Sequence, residues 1–310
     1  VDMRFTLRQI QVFVEIARSE NVSRAAEALA LSQSAASAAL AELENQFDQQ
    51  LFDRNGKRLR LNEQGSLLLP HAVELLDRAE EIEALLRGER GLGSLRVGAT
   101  LTIGNYLLPL IVSNFLQAHP ESRVRLQVHN TATIAGMLRH HEIDLGLVEG
   151  QVVDAELEAE PWVEDELVVF CAPGHRLAPR GRVDFAEIAD QPWILRERGS
   201  GTRATFDAAL RQWPGGIVPR LELEHTEAVK RAVESGLGLG CLSRLALRDA
   251  FRRGSLVALE TPGLDLRRRF SFVWHRGKYH SAAIRQFLAD CRAFTAGAQR
   301  SDQIPLPPVA

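Results

Sequence analysis

The sequence predicts an N-terminal all-α unit of winged helix-turn-helix type with a long linker helix, followed by an α/β unit. Three observations predict it. Short helical segments follow one another over residues 6–47 with almost no loop between them; a basic hairpin with an Asn-Gly turn comes directly after them; and from Leu95 onward short apolar strands alternate with helical segments. A chain of 310 residues is about twice a typical domain, so two or three core-bearing units are expected. Apolar residues at 45% and charged residues at 25% are ordinary globular values and exclude a disordered or fibrous chain. A formal net charge of −3 excludes a uniformly cationic coat, so contact with nucleic acid has to come from a local basic patch. Val1 and Asp2, ahead of Met3, are expected cloning remnants and are left out of the fold argument.

Thr6 and Gln9 have capping-box spacing at the head of the first helix, whose face is Leu7, Ile10, Phe13 and Ala17. Ser23 is expected to cap a short helix over residues 24–30, where Ala25, Ala26 and Ala28 allow another helix to cross closely. Ser32 is expected to cap a third helix running to about Phe47, with Ala36, Leu40, Leu43 and Phe47 facing inward and Gln33, Ser34, Ser37, Ala38 and Ala41 facing elsewhere. Two tightly joined helices, the second opening with small polar residues, suit a major groove, because the helix N-terminus comes close to base edges and phosphates. On the helices alone, a capped three-helix bundle is an equal reading.

The next segment shifts the balance. Residues 51–54 and 59–61 flank Asn55-Gly56, and Arg54, Lys57, Arg58 and Arg60 concentrate positive charge there, so the hairpin reads as a basic wing that neutralises phosphates. From about Glu63 a long helix carries Leu68, Ala72, Leu75, Ala79, Ile82 and Leu86 at alternating steps of four and three, a heptad seam. A second copy of the chain is the economical partner, since a two-fold dimer matches two half-sites on DNA. Pro70 is expected to kink the early turns, and Gly91 and Gly93 to form a flexible joint after the helix ends near Gly88.

Ser23-Arg24-Ala25-Ala26-Glu27-Ala28-Leu29, Ser32-Gln33-Ser34-Ala35-Ala36-Ser37, Leu43-Glu44, Leu51-Phe52-Asp53-Arg54 and Gly65-Ser66-Leu67-Leu68 together resemble the LysR-type transcriptional regulators over the whole N-terminal unit. The resemblance implies a winged helix-turn-helix, a dimerising linker helix, and a two-lobed C-terminal domain of the type 2 periplasmic-binding-protein class, assembled as a homodimer or homotetramer. It places Ser32, Gln33, Ser34, Ser37 and Ala38 at bases or phosphates and Arg54, with Lys57 and Arg58, on the backbone from the wing. The family often has a basic or polar residue right after the matching serine; this chain has Ala38, so base readout rests more on its neighbours and on DNA shape. The implied domains are residues 3–62 for DNA binding, 63–90 for the linker and 91–296 for effector binding, with lobe 1 at about 94–164 and 268–296, lobe 2 at about 165–267, and a disordered tail over 297–310.

Strands are expected over residues 95–98, 124–128, 143–148, 167–171, 193–195, 221–223 and 239–242, in mostly parallel sheets. Ligands collect beyond the carboxyl ends of such strands, where helix N-termini offer free N–H groups. Four strand-to-helix joints suit that role: Thr100-Leu101-Thr102; Asn130-Thr131; Arg196 with Gly199-Ser200-Gly201-Thr202-Arg203; and His225-Thr226-Glu227. For any single joint, helix capping is an equal reading; four in one domain, matching the sensor joints of the resembled family, point to a shared cleft. Glu149 is counted with that cleft. Residues 102–109 and 192–196 are similar to regulators of sulfur and carbon assimilation, which implies a small anionic effector, an inorganic oxyanion or small carboxylate, and no cofactor.

Other patterns are discounted. Gly236-Leu237-Gly238-Leu239-Gly240 enters a strand, the reverse of a dinucleotide fingerprint, and reads as a helix stop. His140-His141-Glu142 has no further ligand in reach and reads as a solvated helix end. Cys171, Cys241 and Cys291 are too sparse for disulfides, zinc or a peroxide switch, and fit a reducing cytoplasm. No apolar run approaches a bilayer span. The leading reading is promoter-DNA binding by a symmetric oligomer, with double-stranded DNA, a small effector and RNA polymerase as partners and no membrane. The rivals are an enzyme acting on an anionic metabolite, with residues 199–203 as its clamp but no nucleophile or base beside them, and a plain binding protein for such a metabolite.

Overall fold

The computed structural model describes residues 3–55, 58–88, 91–213 and 215–306, with residues 54, 55 and 58 as backbone alone. Helix α1 (Leu7–Ser19) opens on the reciprocal cap that the sequence predicts: the Gln9 N–H donates to Thr6 Oγ1 at 3.2 Å, and the Thr6 N–H donates to Gln9 Oε1 at 2.8 Å. Helix α2 (Val22–Ala28) starts earlier than a Ser23 cap would allow, because the Asn21 side chain accepts from the Arg24 N–H at 3.1 Å. Helix α3 (Gln33–Phe47) is capped by Ser32, which accepts from the Ala35 N–H at 3.1 Å. Strands β1 (Phe52–Asn55) and β2 (Arg58–Leu61) pair antiparallel with Asn55 opposite Arg58. Gly56 and Lys57 lie outside the described residues, as do the side chains of Arg54 and Arg58.

These elements close one core around Val12, Phe13, Ile16, Ala25, Ala36, Leu40 and Phe52. Phe47 departs from the predicted inward face and is exposed, since it lies in the last turn of α3 beyond the reach of that core. Helix α4 (Glu63–Leu86) runs unbroken through Pro70 and completes the core with Leu69, Ala72 and Val73. This corrects the seam. Ala72, only 2% exposed, covers the protomer's own core, and Leu68 is half-buried against it, whereas Leu75, Ile82 and Leu86 remain exposed and Ala79 half-buried.

The second unit is two sheets joined through shared strands. Strands β3 (Ser94–Ala99), β4 (Arg123–Val128) and β5 (Leu145–Glu149) are parallel to one another, with α5 (Leu101–Tyr106), α6 (Leu108–Ala118) and α7 (Thr131–Arg139) between them. The 15-residue strand β6 (Leu157–Cys171) belongs to both lobes. Helix α8 (Phe185–Ala189), strand β7 (Trp193–Arg196), α9 (Gly201–Ala209), β8 (Leu221–Leu223), α10 (Thr226–Glu234), β9 (Leu239–Ser243), α11 (Arg244–Arg253) and β10 (Val257–Leu259) build the second lobe. Strand β11 (Arg267–His275) and α12 (Ala282–Phe294) return to the first. The order is β4-β3-β5-β11-β6-β9-β7-β8, with β10 on the second half of β6. Residues Leu157–Glu166 of β6 pair with β11, and from Leu167 its partners are β9 and β10, all antiparallel. The sheets are therefore mixed rather than mostly parallel, because β6 and β11 run antiparallel to the strands they pair with.

Helices cover both faces, which is why β5 and β9 are buried at every position. The expected disordered tail is packed through residue 306: Ile304 is fully buried in the first lobe's core, and the Arg248 guanidinium donates to its carbonyl at 2.9 Å. Residues 307–310 lie outside the described residues.

The two units meet at an ion cluster under α4. Lys278 Nζ lies 2.5 Å from Asp77 of α4 and 2.8 Å from Asp144, which also pairs with Arg96 at 2.6 Å. Arg78 stacks on Tyr279 at 4.3 Å, and a cavity of about 390 Å³ beside the cluster is lined by Arg18, Asp77, Glu81, Arg96 and Arg285. Burial alone would raise the Asp144 carboxyl, but Lys278 and Arg96 outweigh it and hold it well below the usual carboxylate range. His141 departs from the solvated helix end expected of it: it is buried, its ring packs tilted against that of His275 with centroids 4.3 Å apart, and burial pushes it down to about 3.

Candidate functional site

Two surfaces collect the residues singled out above. On the first unit, the inward residues Ala36 and Leu40 anchor α3, and Ser32, Gln33, Ser34, Ser37 and Ala38 are exposed at its N-terminal end. The Ser32 and Ser34 hydroxyls lie 3.0 Å apart, beside N–H groups that the helix itself leaves unpaired. Arg8 of α1 donates to the Leu29 carbonyl at 2.8 Å and so fixes the turn between α2 and α3. Neither Arg8 nor the exposed Arg24 stood out in the sequence, since an arginine on an amphipathic helix carries no positional signal.

On the second unit, the starts of α5, α7, α9 and α10 converge where the lobes meet. Glu149, at the end of β5, is the centre. Its carboxylate accepts from the Thr102 N–H at 2.5 Å and from the Thr202 hydroxyl at 3.2 Å, and it pairs with Arg268 at 3.1 Å. Arg268 also donates to the Thr202 hydroxyl at 3.0 Å and to Asp165 at 2.6 Å. Asp165 further accepts from Ser243 at 2.7 Å and from Ser301, so the C-terminal segment closes the hinge from below. Burial would raise the Glu149 carboxyl, but Arg268 and the Thr102 donor hold it below the ordinary range. Burial would likewise lower Arg268, and Asp165 and Glu149 more than reverse this. Both side chains are ionised.

Across the lobes, the Gly201 N–H donates to Thr131 Oγ1 at 3.1 Å, and Asn130 donates to Glu197 at 3.2 Å. Arg196 is buried, chelated by Glu197 at 2.8 and 3.0 Å, and donates to Thr226 at 3.4 Å. Tyr106 of the first lobe donates to Glu227 of the second, and Lys230 completes that contact at 2.8 Å. Gly199 takes a left-handed φ of 94° and its carbonyl accepts from the Ala132 N–H at 3.2 Å; Ser200 caps α9. Two of the predicted residues are committed elsewhere: the Thr100 hydroxyl accepts from the Glu149 N–H at 3.1 Å, tying β3 to β5, and Leu101 is buried beside it.

Asp165, Arg268, Tyr106 and Lys230 were missed in the sequence. Arg268 had a usable signal: in Arg267-Arg268-Arg269 the period of two that a strand imposes sends the middle arginine inward while its neighbours face out, and β11 follows that pattern. Among the described residues no cluster of histidine, cysteine and carboxylate suits a metal, and no helix is long and apolar enough to cross a membrane. All three thiols are buried and unpaired; burial raises Cys171 to about 11 and lifts Cys241 and Cys291 above the usual thiol range.

Residues 7–66 match the family described as bacterial regulatory helix-turn-helix protein, lysR family, and residues 88–296 match the LysR substrate binding domain. The HTH-type transcriptional regulator YeiE of Escherichia coli is 44% identical over 289 residues, covering 93% of this chain and 98% of that protein. The regulatory domain of CcmR from Synechocystis PCC6803, solved with 2-PG, superposes with a TM-score of 0.62 at 29% identity, covering 66% of this chain and 99% of that one. Full-length OxyR from Pseudomonas aeruginosa shares the fold, with a TM-score of 0.73 at 21% identity, covering 99% of this chain and 100% of that one.

Proposed function

The chain belongs to the LysR family of bacterial transcription regulators, and from that premise we propose which residues carry each half of the activity. It is a DNA-binding regulator with an effector-binding domain, and not an enzyme. Ser32, Gln33, Ser34, Ser37 and Ala38 enter the major groove, and Arg54, Lys57 and Arg58 hold phosphates beside it. The observation that carries this is the split of one helix: Ala36 and Leu40 lock α3 into the core while the polar residues of its first turns stand clear.

A small anion occupies the cleft between the lobes, held by Thr102, Thr131, Arg196, residues 199–202 and Thr226. The positive ends of α5, α7, α9 and α10 and the hydroxyls beside them support that reading, and the 2-PG bound by the CcmR regulatory domain supports a small-molecule occupant. Cleft closure changes the angle between paired DNA-binding units. The chain pairs with a second copy through the exposed Leu75, Ile82 and Leu86 and an apolar groove of about 380 Å³ lined by Phe5, Leu43, Phe47 and Leu68. A homodimer or homotetramer in the cytoplasm then engages promoter DNA and RNA polymerase.

Replacing Ser34 and Ser37 with tryptophan tests the groove assignment. Both side chains are exposed, so the melting temperature should hold within a degree or two while promoter binding in a gel-shift titration weakens at least about thirtyfold, the loss of two base or phosphate contacts of ~1–3 kcal/mol each. Unchanged DNA affinity in a folded variant refutes it.

A further inference from the structure

Glu149 is the feature of the cleft that a plain anion site does not explain. Its carboxylate takes up the Thr102 N–H, the Thr202 hydroxyl and one nitrogen of Arg268, the donors that an incoming anion needs. Arg268 cannot neutralise it fully, because Asp165 claims the same guanidinium at 2.6 Å. Two buried carboxylates thus share one cation, and Glu149 is only 2% exposed. A further guanidinium of the cleft, that of Arg196, is chelated by Glu197. An anion bearing only acceptor oxygens, placed against Glu149, meets a like charge with little water to screen it.

An ionised carboxylate accepts hydrogen bonds and cannot donate. The face of an occupant that meets Glu149 therefore has to bring the hydrogen. The same guanidinium shows what the rest of that occupant requires: Arg268 Nη2 is buried and has no hydrogen-bond partner among the described residues, so a donor stands within one side chain of the carboxylate. An occupant that satisfies both presents an acceptor oxygen and an O–H on neighbouring atoms, and the O–H···O⁻ bond replaces repulsion with one of the stronger hydrogen bonds available.

We propose that Glu149 is the specificity-determining residue of the cleft, and that it selects anions carrying their own O–H, such as a hydrogen-bearing oxyanion or a 2-hydroxy acid, over aprotic anions of the same size. This rests on the cleft reading above and sharpens it. The test is calorimetric titration of the full chain at pH 7 with two matched pairs: hydrogen phosphate against sulfate, and glycolate against acetate. The wild-type chain should bind the hydroxyl-bearing member of at least one pair at least about tenfold more tightly than its mate, because a site built to pair an O–H rejects an analogue that lacks it. Phosphate and glycolate acting alone or together tells which kind of O–H the cleft accepts.

Glu149→Gln and Glu149→Thr remove the charge and should each bring the members of that pair within about twofold, so the test survives if either fails to fold; Glu149→Asp, which keeps the charge, should keep the preference. Equal or reversed affinities in the wild-type chain, or a preference that survives Glu149→Gln, overturn the proposal. Thr202→Val separates the two failures: if it weakens every anion while no O–H preference exists, the cleft stands and the role of Glu149 falls. If none of the four anions binds, or binding survives Thr202→Val unchanged, the cleft reading falls and takes the proposal with it.

Discussion

Gly201→Ala should wedge the lobes apart. Gly201 is the first residue of α9 in the second lobe, and a Cβ built there would lie 2.0 Å from the Glu149 carbonyl oxygen and 2.9 Å from Thr131 Oγ1, both in the first lobe. The obstacle is backbone and cannot rotate away. Reaching even a close C···O contact of about 3.3 Å requires an opening of about 1.3 Å. That movement breaks the 3.1 Å Gly201–Thr131 hydrogen bond and the 3.2 Å Thr202–Glu149 bond. Overpacking of about 1–3 kcal/mol, added to about 1 kcal/mol for the neutral hydrogen bond and about 1.5–3 kcal/mol for the one to the Glu149 carboxylate, gives roughly 3.5–7 kcal/mol against closure. Local propensity argues the opposite sign, since alanine in a helix is favoured over glycine by about 1 kcal/mol. Thermal unfolding followed by circular dichroism decides between them. At roughly 2–4 °C per kcal/mol for a unit of about 200 residues, the variant should melt at least about 4 °C lower. Gly174→Ala, where a Cβ meets nothing within 4 Å, should change the midpoint little. A Gly201→Ala chain that melts at or above the wild-type temperature refutes the contact argument.

Two further outcomes follow from the ion cluster beneath α4. Lys278→Met strips the cation from Asp77 and Asp144 while keeping the side-chain length; losing one partner of a buried network costs about 3–5 kcal/mol, read as a lower urea midpoint and faster proteolysis between α4 and β3. His141, depressed to about 3 in the folded chain, takes up its proton near its ordinary pKa of about 6.5 only on unfolding. The unfolded state therefore binds the extra proton, and stability falls as the pH drops from about 6.5 toward 3, with a slope of up to about 1.4 kcal/mol per pH unit for this one group. His141→Gln should flatten the denaturation midpoint over that range; an unchanged pH profile shows that His141 does not titrate this way.

Much of the first unit was legible because its signals are local. The Thr6–Gln9 box, the Ser32 cap and the inward set Ala36, Leu40 and Leu43 each depend on spacing within one helix, and the structure repeats them. The Asn21 cap of α2 was displaced by the equally suitable Ser23 two residues on, a competition that sequence cannot arbitrate. Ala72 was misassigned because a heptad stripe drifts around a straight helix, so its first half meets α1 and its second half faces out. The tail misled for a compositional reason: Pro305, Pro307 and Pro308 suggest an unstructured end, while the burial of Ile304 and the bond from Ser301 to Asp165 depend on strands more than a hundred residues away.

The sequence alone determined the helices and hairpin of the first unit, strands β3 to β5 and β7 to β9, the second half of β6, and the polar starts of α5, α7, α9 and α10, but not β10, β11 or the first half of β6, since periodicity and capping are properties of neighbouring residues. Only the tertiary structure decided that β6 is one strand running through both lobes with β11 beside its first half, and that Glu149 takes the donors of Thr102, Thr202 and Arg268 from three separate stretches of chain. The reason is physical: a buried charge settles where its counter-charges converge, and that convergence is fixed by strand register across the whole domain, which no local pattern encodes.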